Sequence, residues 1–136
     1  MSQWQMSFQT RRYYGRESAI TIPVALYSDV TTHVLVRAKI DTGSDFCVFQ
    51  KSHSFLLGLN LEDGEPQRIR TAIGSFVAYG HELTLRVEDL EWQATIYFAE
   101  LDDFPVNVVG RAGFLDRLRF GLVEYEQLLY LAPYNE

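Results

Sequence analysis

The chain has 136 residues, is 47% apolar and 14% aromatic, and carries a formal net charge of −6 with a pI near 5.0. That length suits one domain and not comfortably two, and a domain of this size buries roughly 65–70% of its unfolded surface. The composition excludes a disordered chain, and the acidity argues against nucleic-acid backbones and anionic membranes as partners. Residues 1–17 show no apolar core followed by a cleavage site, so no secretory signal is read there. No run approaches the ~18 apolar residues of a membrane span. A cytoplasmic protein is expected, with residues 1–17 an N-terminal extension of unassigned role and 18–136 a single domain.

The predicted elements are short strands. Ala19–Tyr27 is β-rich, with Pro23 pushing it toward an edge; Thr31–Ile40 is a second strand and Phe46–Gln50 a third. Ser52–Leu59 reads as a short helix or irregular turn weakened by Gly58. Glu62–Gln67 is a loop, and the two β-prone arms around Ile73-Gly74-Ser75 form a hairpin. Trp92–Glu100 and Val106–Val109 are further strands, Ala112–Arg119 is the best helix candidate, and Gly121–Leu131 reads as a hairpin turning near Tyr125-Glu126. Strands at this spacing with a single helix indicate an all-β barrel-like or sandwich domain.

Metal chemistry has no support: His33, His53 and His81 are scattered, and the one cysteine, Cys47, pairs with none of them. Cys47 sits in an apolar run and reads as a small buried hydrophobe. Gly43-Ser44 and Gly74-Ser75 lie in no G-x-S-x-G elbow, and no phosphate-cradling glycine loop is present. No cofactor is expected. What stands out is Asp41-Thr42-Gly43-Ser44 between two core-like stretches. These residue types also build ordinary turns. The apolar flanks set this one apart, because a surface turn does not usually sit inside so much core.

Asp41-Thr42-Gly43-Ser44 after a strand resembles the active-site signature of aspartic peptidases. Val108-Val109-Gly110-Arg111 resembles their second hallmark, two apolar residues and a glycine leading into a helix. A glycine-tipped hairpin lies between the two, where the family has its flap. The chain carries one such set, so it resembles the single-domain, retropepsin-like branch over roughly Ala19 to Leu131. The resemblance implies a closed all-β barrel with a flap hairpin and one short C-terminal helix. It implies a homodimeric aspartic endopeptidase acting on peptides or proteins, with a peptide-binding domain of little activity as the alternative.

The resemblance also assigns residues. Asp41 would be the catalytic carboxylate; with no second D-T-G in the chain, its partner would be the Asp41 of another copy. Thr42 would link the two active-site loops across the axis, and the Gly43 carbonyl would meet substrate. Ser44 would donate to ionised Asp41 and lower the pair's pKa. Asp45 would pair with Arg111 and meet substrate backbone, with Arg11 or Arg12 joining from the other copy. Ala72, Ile73, Gly74 and Ser75 at the flap tip, together with Val108, would bind substrate, and Gly110 and Arg111 would hold the site's structure.

Overall fold

The computed structural model describes residues 2–16 and 19–135. The domain boundary expected between residues 17 and 18 falls outside the described residues. Among the described residues, ten strands form two sheets: β1 Thr10–Tyr13, β2 Thr21–Tyr27, β3 His33–Ile40, β4 Val48–Phe49, β5 Glu65–Thr71, β6 Gly74–Val87, β7 Leu90–Ala99, β8 Val108–Val109, β9 Leu118–Val123 and β10 Leu128–Pro133. The one α-helix among the described residues, α1, spans Lys51–Leu56, where the sequence left a choice between helix and turn.

The larger sheet runs β2-β3-β8-β4-β7-β6-β5, and a further pairing of β2 with β6 closes it into a barrel. Strict alternation explains β3. His33, Leu35, Arg37 and Lys39 face out, while Val34, Val36, Ala38 and Ile40 face the core. Pro23 bears out the edge reading in a local sense. It pairs with Arg37 of β3, but the β6 ladder on the other side of β2 begins only at Ala25, so the missing N–H breaks no bond there. Phe49, Phe98, Phe114, Leu26, Leu85 and Ile96 are fully buried in one cluster. Each such side chain contributes about 1.5–3 kcal/mol by leaving water.

The strand β6 has two jobs. Its first half, Gly74–Gly80, pairs with β5 to make a hairpin that stands off the barrel. Its later residues Thr84–Arg86 pair with β2 to close the barrel, and β7 lines the other side from Ala78 to Val87. The hairpin was expected around Ile73-Gly74-Ser75; its two-residue tip is Ala72-Ile73, with Thr71 opposite Gly74. β5 already begins at Glu65, so half of the expected Glu62–Gln67 loop is strand.

The helix expected over Ala112–Arg119 is not formed. The segment is a turn followed by one 3-10 turn at Leu115–Arg117, and Leu118 already belongs to β9. Gly113 adopts φ +98°, which interrupts any right-handed helix, and its N–H is taken by Asp116 Oδ1 at 3.0 Å. The hairpin after it is formed as expected: β9 and β10 are joined through Glu124–Glu126, with Gln127 in a left-handed conformation. In the N-terminal extension, β1 pairs with β10 from Thr10–Leu131 to Tyr13–Leu128, giving a second sheet of order β1-β10-β9.

Candidate active site

The short strand β8 inserts between β3 and β4. It runs parallel to β3 (Lys39 with Val108, Ile40 with Val109) and antiparallel to β4 (Val48 with Val108). Asp41, immediately after β3, thus continues the ladder by donating its N–H to the Val109 carbonyl at 3.0 Å. The turn that follows is closed twice. Ser44 N–H donates to the Asp41 carbonyl at 3.1 Å, and Gly43 N–H donates to Asp41 Oδ1 at 2.9 Å, which fixes the orientation of the carboxylate.

A second loop locks the first. Arg111 N–H donates to the Ser44 carbonyl at 2.8 Å and Ala112 N–H to the Asp45 carbonyl at 2.9 Å. The crossing is tight enough to exclude a side chain at Gly110: a Cβ there would collide with the carbonyl oxygens of Ser44 and Phe46, both backbone atoms. Beneath the crossing lies Cys47, fully buried as expected. Its Sγ accepts the Gly110 N–H and donates to the Ala112 carbonyl, each at 3.5 Å, and burial pushes the thiol up to about 12.

Asp41, Gly43, Ser44 and Val108 line a cleft of about 450 Å³. Ile69, Arg70, Thr71 and Ala72 of the β5–β6 hairpin line it from above. Of the expected hairpin contacts, Ala72 reaches the cleft. Ile73, Gly74 and Ser75 do not line it: Ile73 is 99% exposed, and the Ser75 hydroxyl accepts from Arg68 Nη1 at 3.1 Å. Sequence reasoning missed Val48, Phe76, Phe104 and Val106, which also line it, Phe76 and Phe104 meeting with ring centroids 5.1 Å apart. A signal was present. Phe104, Val106 and Val108 alternate, so an extended backbone turns all three to one side.

Two expected side-chain interactions are absent. The Ser44 hydroxyl donates to the Phe46 carbonyl at 2.7 Å, so its proton is not available to Asp41. Asp45 and Arg111 line a shared hollow of about 560 Å³ with Thr42, Leu115 and Asp116, yet among the described residues no ion pair joins them. Both are exposed, as are Thr42 and Gly43. Arg12 is engaged within its own chain, 2.7 Å from Glu88. Among the described residues no group of three or more histidine, cysteine or acidic side chains is placed to hold a metal, and no helix is long and apolar enough to cross a membrane.

No protein-family model matches the sequence, and no curated protein matches it. Solved structures do resemble it. A retropepsin-like aspartic protease from Rickettsia conorii superposes with a TM-score of 0.66 at 19% identity, over 90% of this chain and 97% of that one. The EIAV protease in complex with the inhibitor HBY-793 superposes with a TM-score of 0.55 at 20% identity, over 72% of this chain and 86% of that one. With a closed barrel, an Asp41 loop crossed by the Gly110 loop and these neighbours, the chain has the all-β fold of retropepsin-like aspartic proteases.

Proposed function

We propose that the chain is a homodimeric aspartic endopeptidase in which the Asp41 of each copy contributes one carboxylate. The observation that supports this most is the position of Asp41. It ends a barrel strand, is oriented by the Gly43 N–H, and lies on a cleft lined on its other side by the β5–β6 hairpin. The exposure of Thr42, Gly43, Asp45 and Arg111 beside it fits a face that a second copy covers. The solved neighbours are proteases of this kind, one of them holding an inhibitor.

Two carboxylates held about 3 Å apart cannot both ionise cheaply, so they share one proton and titrate as a pair. The ionised member takes a proton from a water whose oxygen bonds to the peptide carbonyl carbon. The protonated member gives its proton to the carbonyl oxygen. The diol collapses as the C–N bond breaks: the protonated carboxyl gives its proton to the leaving nitrogen, and one diol hydroxyl gives its proton to the ionised carboxylate, leaving a free acid and an amine with the pair again sharing one proton. In this reading the β5–β6 hairpin is the flap that shields the reacting bond from water. Thr42 ties the two loops together, Gly43 and Ala72 meet substrate backbone, and Ser44, Val108, Phe76, Phe104 and Val106 shape the cleft wall. Asp45 and Arg111 complete their ion pair when the partner orders that face.

The test is digestion of a peptide library across about pH 3 to 7, the range over which coupled carboxylates titrate. Cleavage that a statine-type transition-state mimic blocks and Asp41→Asn removes is expected. Peptides bound but never cut would instead make the chain a peptide-binding domain.

A further inference from the structure

The three-stranded sheet leaves β10 with no free edge, because β1 occupies one side and β9 the other, both within one chain. The strands of a second copy therefore cannot interleave with β10. The sheet ends at the outer edge of β1 and the outer edge of β9, and the two ends differ. The β6–β7 turn is tied to β1: Arg12 pairs with Glu88 at 2.7 Å, while Gln9 and Thr10 donate to the Asp89 carboxylate at 3.2 and 3.4 Å. Along β9, Arg119 Nη1 donates to the Ser7 carbonyl at 2.9 Å, a side-chain contact that leaves the strand's own backbone groups unpaired, among the described residues, on the side away from β10.

Bond alternation shows what β9 presents. Tyr14 N–H donates to the Gln127 carbonyl at 3.0 Å, so Gln127, Leu129 and Leu131 turn their backbone groups toward β1. Leu128, Tyr130 and Ala132 then bond toward β9, to Val123, Gly121 and Arg119. That leaves the backbone groups of Leu118, Phe120 and Leu122 pointing outward, and no described residue makes a backbone bond to them. Leu122 and Val123 are 42% and 37% exposed, and β9 contains neither proline nor lysine; its one charged side chain, Arg119, reaches back to the Ser7 carbonyl. Sheets normally blunt an exposed edge with such residues or cover it, because a bare one pairs with other chains. The edge of β5 is also open, but its residues Ile69–Thr71 line the cleft, where substrate would lie.

β9 is also continuous with the site. The residues that bond the Asp41 loop, Arg111 and Ala112, lead through the 3-10 turn at Leu115–Arg117 directly into Leu118. We infer that two copies join β9 to β9, antiparallel across a two-fold axis, into one sheet of six strands (twice the three of one chain) ordered β1-β10-β9-β9-β10-β1. The inference rests on the dimeric reading above and names the surface that completes that site.

Amide hydrogen exchange on the full chain, below and above the concentration at which it dimerises, tests the interface. In the dimer the Phe120 and Leu122 amides are expected to exchange at least tenfold more slowly, while Arg11 and Tyr13, whose amides point outward from β1, stay unchanged. Leu122→Pro removes an outward donor without removing a β9–β10 bond, and is expected to weaken dimerisation at least tenfold with an unchanged circular-dichroism spectrum. Should that variant misfold, the wild-type exchange pattern decides. A dimer with no added protection at Phe120 and Leu122 overturns the β9 interface, and Asp41-dependent cleavage by that same dimer leaves the peptidase reading standing. A β9-protected dimer that cuts no peptide supports the interface and removes the peptidase. A chain that is monomeric at every concentration overturns the interface.

Discussion

The hydroxyl of Ser44 donates to the carbonyl oxygen of Phe46, 2.7 Å away, within the loop that carries Asp41. A hydroxyl has one proton to give, so this contact braces the loop and leaves the Asp41 charge to the Gly43 N–H. Ser44→Ala is therefore expected to leave the acidic limb of the pH–rate profile where it is. It is also expected to cost about 1 kcal/mol in denaturant unfolding, because the Phe46 carbonyl loses its donor. A limb that moves toward higher pH would mean that the hydroxyl reaches Asp41 in the assembled enzyme.

Gly110→Ala is the harshest single change the site offers. The added carbon meets two backbone carbonyls, of Ser44 and Phe46, and neither can rotate away as a side chain would. A loss of about 3 kcal/mol or more is expected, read from the midpoint of urea unfolding. Ala112→Gly serves as the comparison, since Ala112 is exposed and takes part through its backbone.

Cys47 links the site to alkaline stability. Its folded-state pKa is raised from 9.0 to about 12, first by burial. A thiol whose folded pKa is raised contributes stability that is fully present below the unfolded value and is lost as pH climbs from about 9 toward 12. Relative to Cys47→Ala, wild type should lose up to about 1.4 kcal/mol per pH unit in that window, and nothing below it. Parallel stability curves for the two proteins above pH 9 would refute this. The same burial predicts that iodoacetamide labels Cys47 in the unfolded chain and not in the folded one.

Arg111→Ala separates the chain from its assembly. With no ion pair to Asp45 in a single chain, its removal should change the stability of the dilute monomer by less than about 0.5 kcal/mol. If the pair forms only when a second copy orders that face, the dimer dissociation constant should rise at least tenfold in sedimentation. An equal dimer constant for Arg111→Ala and wild type would remove Arg111 from the assembly.

The sequence was most informative where one local pattern had one structural outcome. The β-prone run ending at Ile40 placed β3, and Asp41–Ser44 and Val108–Arg111 marked the two segments that meet at the site, though not how they bond. It was least informative where a distant partner decided. Phe114 and Leu118 have helical spacing, but Phe114 must reach the core and Gly113 turns the chain to let it, so the helix is lost. Thr10–Tyr13, with two arginines in four residues, carries no strand signal of its own; it is a strand because β10 offers it an edge. The proton of Ser44 was equally hidden, since the choice between Asp41 and Phe46 depends on a rotamer.

The double duty of β6 has a mechanical consequence. Its tip-side half carries the hairpin over the cleft, and its other half closes the barrel against β2. Such a hairpin is the free end of a beam clamped in the wall, with its root where the β5 ladder ends at Gly80 and the β2 ladder begins at Thr84. Bending at that root is shared with the seam that holds the barrel shut, so the stiffness of the cleft's cover and the tightness of the barrel are properties of the same strand.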